Sequence, residues 1–134
     1  MSERERIERF LARGPWAVAG ASTDRAKYGN KVLRCYLQAG RTPVYPLNPR
    51  SSEVEGLPAF RDLAAVPEPV RALSIITPPP ITERVVAQAL ELGVAGVWMQ
   101  PGAESAAAVR MCEEAGVDVI HGGTCLLVVL GFRE

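Results

Sequence analysis

Lysine and histidine are scarce in this chain, and cysteine is sparse and unpaired. Lys27 and Lys31 are the only lysines, so the basic side is nearly all arginine; 15 basic and 15 acidic residues cancel to a formal charge of zero. That balance argues against the broad basic surface of a general nucleic-acid binder. His121 is the one histidine, and Cys35, Cys112 and Cys125 are odd in number without C-x-x-C spacing. A disulfide scaffold and a structural zinc site are both disfavoured. No apolar run reaches the roughly 18 residues of a membrane span. The first ten residues read as a charged helix and not as a signal peptide. A cytoplasmic location is expected, with neither membrane nor nucleic acid as partner.

What the chain does have is glycine and proline placed as punctuation. Its 134 residues are enough for one sheet covered by helices, and a single domain over 1–134 is expected. A first helix over 2–13 carries Ile7, Phe10 and Leu11 on one face and stops at Gly14-Pro15. Strands are expected at 16–20, 43–47, 72–76, 96–99 and 117–120. Helices are expected at 28–39, 81–92 and 103–115, with a short one before Ala65. A last apolar run covers Leu126 to Leu130. Strands alternating with helices at this spacing predict an α/β fold: a doubly wound, five-stranded parallel sheet in three layers. The expected strand order is 3-2-1-4-5, with the switch point beside strand one. Ligands of such folds lie outside the carboxyl ends of the strands at that switch. The constrained loops Gly20-Ala21-Ser22, Asn48-Pro49-Arg50, Thr77-Pro78-Pro79, Gln100-Pro101-Gly102 and Gly122-Gly123-Thr124-Cys125 all fall at such ends.

The first of these loops follows the apolar run Trp16-Ala17-Val18-Ala19 and precedes a helix. Gly20 permits a tight turn, and Ala21 and Ser22 are small enough for a phosphate to approach the helix start. A plain structural turn would read the same way. A dinucleotide site would want Gly-x-Gly-x-x-Gly here and an acid at the end of strand two. Ser22 stands in place of the second glycine, and strand two ends in Asn48-Pro49. NAD is therefore disfavoured, while Arg50 keeps NADP open.

Taken together, several segments resemble a known family. They are Gly20-Ala21-Ser22, Tyr45-Pro46-Leu47-Asn48-Pro49, Gly56-Leu57-Pro58-Ala59-Phe60, Val66-Pro67-Glu68-Pro69-Val70 and Val97-Trp98-Met99-Gln100-Pro101-Gly102. Their order and spacing over about 14–125 resemble the small single-domain coenzyme A-binding proteins, which are similar to the N-terminal domain of the succinyl-CoA synthetase α-subunit. The resemblance implies a Rossmann-like fold and a site for coenzyme A (CoA) or an acyl-CoA. It implies that Gly20, Ala21, Ser22, Thr23, Asp24, Arg25, Lys27 and Tyr28 border the phosphates. Asn48, Pro49 and Arg50 would lie on the nucleotide side, with Ile76, Thr77, Pro78, Met99, Gln100 and Pro101 along the adenine or pantetheine. The family's Arg-Cys pair in the last loop is Thr124-Cys125 here, and the residues after it are more apolar than is usual.

Three classes of function follow. One is a non-catalytic CoA or acyl-CoA binding protein. The second is an NADP-dependent oxidoreductase. The third is an accessory subunit of an acyl-CoA ligase, and the apolar tail leaves room for such a partner or for self-association. The synthetase relative works through a histidine in a second domain, a position that His121 does not match. His121 is either a polar loop residue or an activator of Cys125. Cys125 is either a packing residue or a thiol contact for CoA. Cys35 and Cys112 fall on expected helices and read as core. Asp24 and Glu104 read as acids near helix starts.

Overall fold

The computed structural model describes residues 1–134, and its elements begin and end close to the sequence's punctuation. Helix α1 (Glu3–Leu11) opens on a reciprocal cap. The Ser2 hydroxyl accepts the Glu5 N–H at 3.1 Å, and the Glu5 carboxylate accepts the Ser2 N–H at 3.2 Å. Then come β1 (Trp16–Ala19), α2 (Tyr28–Gln38) and β2 (Val44–Leu47). A turn at Glu55-Gly56, with φ of 50° and 77°, folds β3 (Glu53–Val54) against β4 (Leu57–Pro58). This hairpin was not anticipated. A 3-10 turn at Leu63–Ala65 leads into β5 (Ala72–Ile75), α3 (Pro79–Glu91), β6 (Gly96–Met99), α4 (Ala106–Glu114), β7 (Asp118–Ile120) and the short α5 (Leu126–Val129). No helix is long and apolar enough to cross a membrane.

The main sheet is parallel and runs β2-β1-β5-β6-β7. Counting its five strands along the chain, the order is 2-1-3-4-5. The expected order 3-2-1-4-5 is corrected accordingly. Proline supplies the physical reason. Pro46 lies within β2 and has no N–H to give a second neighbour, so the strand belongs at an edge. On its outer side the Phe60 N–H donates to the Pro46 carbonyl at 3.0 Å. In contrast β5, Ala-Leu-Ser-Ile, is buried at every position and takes the centre. The switch point therefore falls between β1 and β5.

Successive strand residues face opposite layers. Ala17, Leu73, Val97 and Met99 pack against α3, α4 and Leu63. Trp16, Val18, Ala72 and Trp98 pack against α1, α2 and α5. These are the three expected layers. Cys35 and Cys112 are buried, one in each cluster. Burial pushes both thiols up to about 11.

Candidate functional site

The site begins with a close approach of backbones. Gly20 leaves β1 at φ 93°, and the start of α2 presses against it. A Cβ added to Gly29 would lie 1.9 Å from the Gly20 carbonyl oxygen, so only glycine fits there. Asn48, after β2, donates to the Ala21 carbonyl at 2.9 Å, and its side-chain oxygen accepts the N–H groups of Arg50 and Ser51. One amide thus ties the β1 and β2 loops together and orients Arg50. Between these loops and the end of β5 lies an open cleft of about 630 Å³.

The floor of the cleft is the N-terminus of α2. Helices α1 and α4 are capped by Ser2 and Ser105, whose hydroxyls accept the Glu5 and Ala108 N–H groups. Helix α3 opens on Pro79 and Pro80, which have no N–H. Helix α2 has neither device. Its N-cap is Lys27, which makes no side-chain cap, and the N–H groups of Tyr28, Gly29 and Asn30 have no partner in the chain. Free N–H groups and the helix dipole suit this end to an anion. The exposed side chains of Lys27 and Arg50 stand beside it without acidic partners.

The structure brings together Gly20, Ala21, Ser22, Lys27, Tyr28, Asn48, Pro49, Arg50, Ile76, Thr77 and Pro78 along this cleft. Gly29 and Leu47 join them and were missed by sequence reasoning. For Gly29 the available signal was a glycine opening a helix where alanine would be the better helix former. The remaining expected residues lie elsewhere. Thr23 and Asp24 are exposed on the loop, where Asp24 accepts the Ala26 N–H at 2.9 Å. Arg25 is ion-paired with Glu55 of the β3–β4 turn. Asn30 also donates to Glu55, at 3.0 Å, and this bond and Arg25 hold the Glu55 carboxyl below the usual carboxylate range. Met99 is buried in the core and Pro101 is half-buried away from the cleft.

Tyr28 connects the cleft to a second polar group. Its hydroxyl meets the Cys125 thiol at 2.8 Å and donates to Gln100 Oε1 at 3.1 Å. Burial, and then the Cys125 contact, raise the phenol well above the usual tyrosine value. His121 is exposed and makes no hydrogen bond to Cys125. Glu104 accepts the Gly122 N–H at 2.8 Å and thereby fastens the last loop. A separate apolar groove of about 270 Å³, near Pro67 and Leu92, lies at the amino ends of the strands, away from the switch point.

Known proteins resemble this chain in sequence and in fold. The chain is 33% identical over 81 residues to the ADP-forming acetate–CoA ligase II subunit alpha of Pyrococcus furiosus. That match covers 60% of this chain but only 18% of the ligase subunit. Among solved structures, a conserved hypothetical protein from Pyrococcus furiosus superposes with a TM-score of 0.78 and 38% identity, over 85% of this chain and 97% of that one. The dinucleotide-forming acetyl-coenzyme A synthetase 1 of Ca. Korarchaeum cryptofilum, in complex with phosphate and ADP, gives a TM-score of 0.74 and 27% identity. It is matched over 86% of this chain and 27% of its own length. The model of the CoA binding domain matches residues 15–131, and the chain belongs to that family.

Proposed function

We propose that this chain binds coenzyme A or an acyl-CoA without catalysing a reaction on it. The observation that carries the reading is the uncapped N-terminus of α2, open to a cleft flanked by Lys27 and Arg50. A pyrophosphate is a suitable anion for the free N–H groups, and charge-assisted bonds from Lys27 and Arg50 add to it. Gly20, Ala21 and Ser22 allow the close approach. Ile76, Thr77 and Pro78 offer a stiff wall for the rest of the ligand at little ordering cost. The polar lining of the cleft, with Lys27, Arg50, Asn48 and small turn residues, is suited to holding an anion. Cys125 lies outside the lining of the cleft, with its thiol against the Tyr28 hydroxyl.

The ligase relative favours a second reading, in which this domain presents CoA to a separate ligase chain. Both readings share one first test. Calorimetric titration of the reduced protein with CoA and with NADP should give saturable CoA binding and no NADP signal. Binding of NADP alone would point to redox chemistry, and silence from both ligands would reject the CoA reading. Retention of a ligase chain in a native pull-down would then separate accessory subunit from free-standing binder.

A further inference from the structure

Gln100 directly follows β6 and is fully buried. Its backbone is committed on both sides: the N–H donates to Ile75 O at 3.0 Å, and the carbonyl accepts the Ala103 N–H at 2.9 Å. Its side-chain oxygen accepts the Leu126 N–H at 2.9 Å and the Tyr28 hydroxyl. A backbone N–H can only donate, so the amide oxygen must lie on that side and the orientation of the amide is fixed by chemistry. Nε2 is therefore left as the donor, and it is buried with no partner. A buried donor without an acceptor is rare and destabilising. Of the residues in this cluster, Tyr28 alone also lines the cleft.

We propose that Gln100 Nε2 is a subsite for a carbonyl oxygen carried on the arm of the ligand, reached when Tyr28 releases Cys125 and swings aside. The proposal rests on the CoA reading above. The orphan is a donor, so its partner is an acceptor. Its neighbours are a phenol, a thiol and the apolar start of α5, while Lys27 and Arg50 remain in the cleft. A phosphate oxygen would lose its hydration there without a cation, whereas a neutral carbonyl loses little. CoA carries two amide carbonyls on its pantetheine arm, and an acyl-CoA adds a thioester carbonyl. Either source supplies the same acceptor.

The test compares ligands with and without the arm. Wild type and Gln100→Met are titrated with CoA, acetyl-CoA and adenosine 3′,5′-bisphosphate, which keeps a nucleotide and phosphates but lacks pantetheine. Gln100→Met should weaken the ligand that supplies the carbonyl by about three- to tenfold, the range of one hydrogen bond, and leave the bisphosphate unchanged. A loss confined to acetyl-CoA assigns the carbonyl to the thioester, and equal losses for CoA and acetyl-CoA assign it to a pantetheine amide. Equal weakening of the bisphosphate, or unchanged affinity for both CoA and acetyl-CoA, would overturn the subsite while leaving the CoA reading intact. A wild type that binds neither CoA nor acetyl-CoA would overturn both. Should the variant fail to fold, proton–nitrogen correlation spectra of the wild type decide. The Gln100 side-chain NH2 pair must shift with CoA or acetyl-CoA and not with the bisphosphate, and a pair unmoved at saturation with both rejects the proposal.

Discussion

At the residue scale, three cations near one turn have different work to do. Arg25 is engaged by Glu55, and its backbone carbonyl accepts Arg34 Nη2 at 2.8 Å. Arg34 in turn donates to Asn30 Oδ1 at 2.7 Å, so the set fastens the β3–β4 turn to α2. Arg50 has its N–H fixed by Asn48 and its guanidinium free over the cleft. Arg50→Ala should therefore weaken CoA by about three- to thirtyfold, as expected for one charge-assisted bond. Arg25→Ala should leave the affinity within about twofold, because an exposed ion pair contributes little. Calorimetry on both variants reads the difference, and a larger loss from Arg25→Ala would return that side chain to the ligand. Dephospho-CoA adds an assignment: if Arg50→Ala hurts CoA more than dephospho-CoA, Arg50 reads the 3′-phosphate. The sequence placed Arg25, Lys27 and Arg50 in one class because charge and loop position were all it displayed. Glu55 makes the distinction, and it sits on a hairpin of two-residue strands too short to leave a periodic signal.

At the element scale, the turn from β1 into α2 depends on Gly29 as much as on Gly20. Replacing glycine by alanine inside a helix normally stabilises by about 1 kcal/mol. Here the sign should reverse, since the new methyl would meet the Gly20 carbonyl at 1.9 Å, and backbone cannot yield as a side chain tip can. Gly29→Ala is expected to destabilise by about 2–3 kcal/mol, in the range of overpacking. Urea unfolding checks it, and an unchanged or raised midpoint would mean that α2 can retreat freely from β1. The strands and longer helices were legible because apolar runs and Gly or Pro stops are local signals. Gly40, Gly93 and Gly116 follow the ends of α2, α3 and α4, as the sequence suggested. The strand order was harder, because five parallel strands joined by crossovers look alike in sequence. Pro46 held the missing information: a strand that lacks one N–H is an edge strand, which excludes the interior position that the order 3-2-1-4-5 would give it. The candidate site was legible where it consists of the loops at strand ends. It was hidden where it depends on contacts between distant segments, as between Tyr28, Gln100 and Cys125.

At the scale of the whole molecule, the sheet joins two apolar layers that share no helix. Leu73 points into the layer of α3 and α4, while Trp16 and Trp98 both lie in the layer of α1, α2 and α5. Tryptophan fluorescence therefore reports one face, and far-ultraviolet circular dichroism reports helices on both. We expect the chain to unfold as a single cooperative unit, because each central strand contributes alternate side chains to both layers. Leu73→Ala removes a fully buried side chain and should destabilise by about 2–5 kcal/mol. The decisive feature is where that loss registers. In a single unit, the fluorescence midpoint must fall as far as the circular dichroism midpoint, although the substitution lies across the sheet from both indoles. A fluorescence curve that stays in place while the dichroism curve moves would divide the molecule into two separately unfolding faces. The cleft would then inherit that division. Its wall at Ile76 and Thr77 extends the central strand β5, and its floor belongs to α2, so a ligand bridging them would couple two units instead of occupying a preformed site.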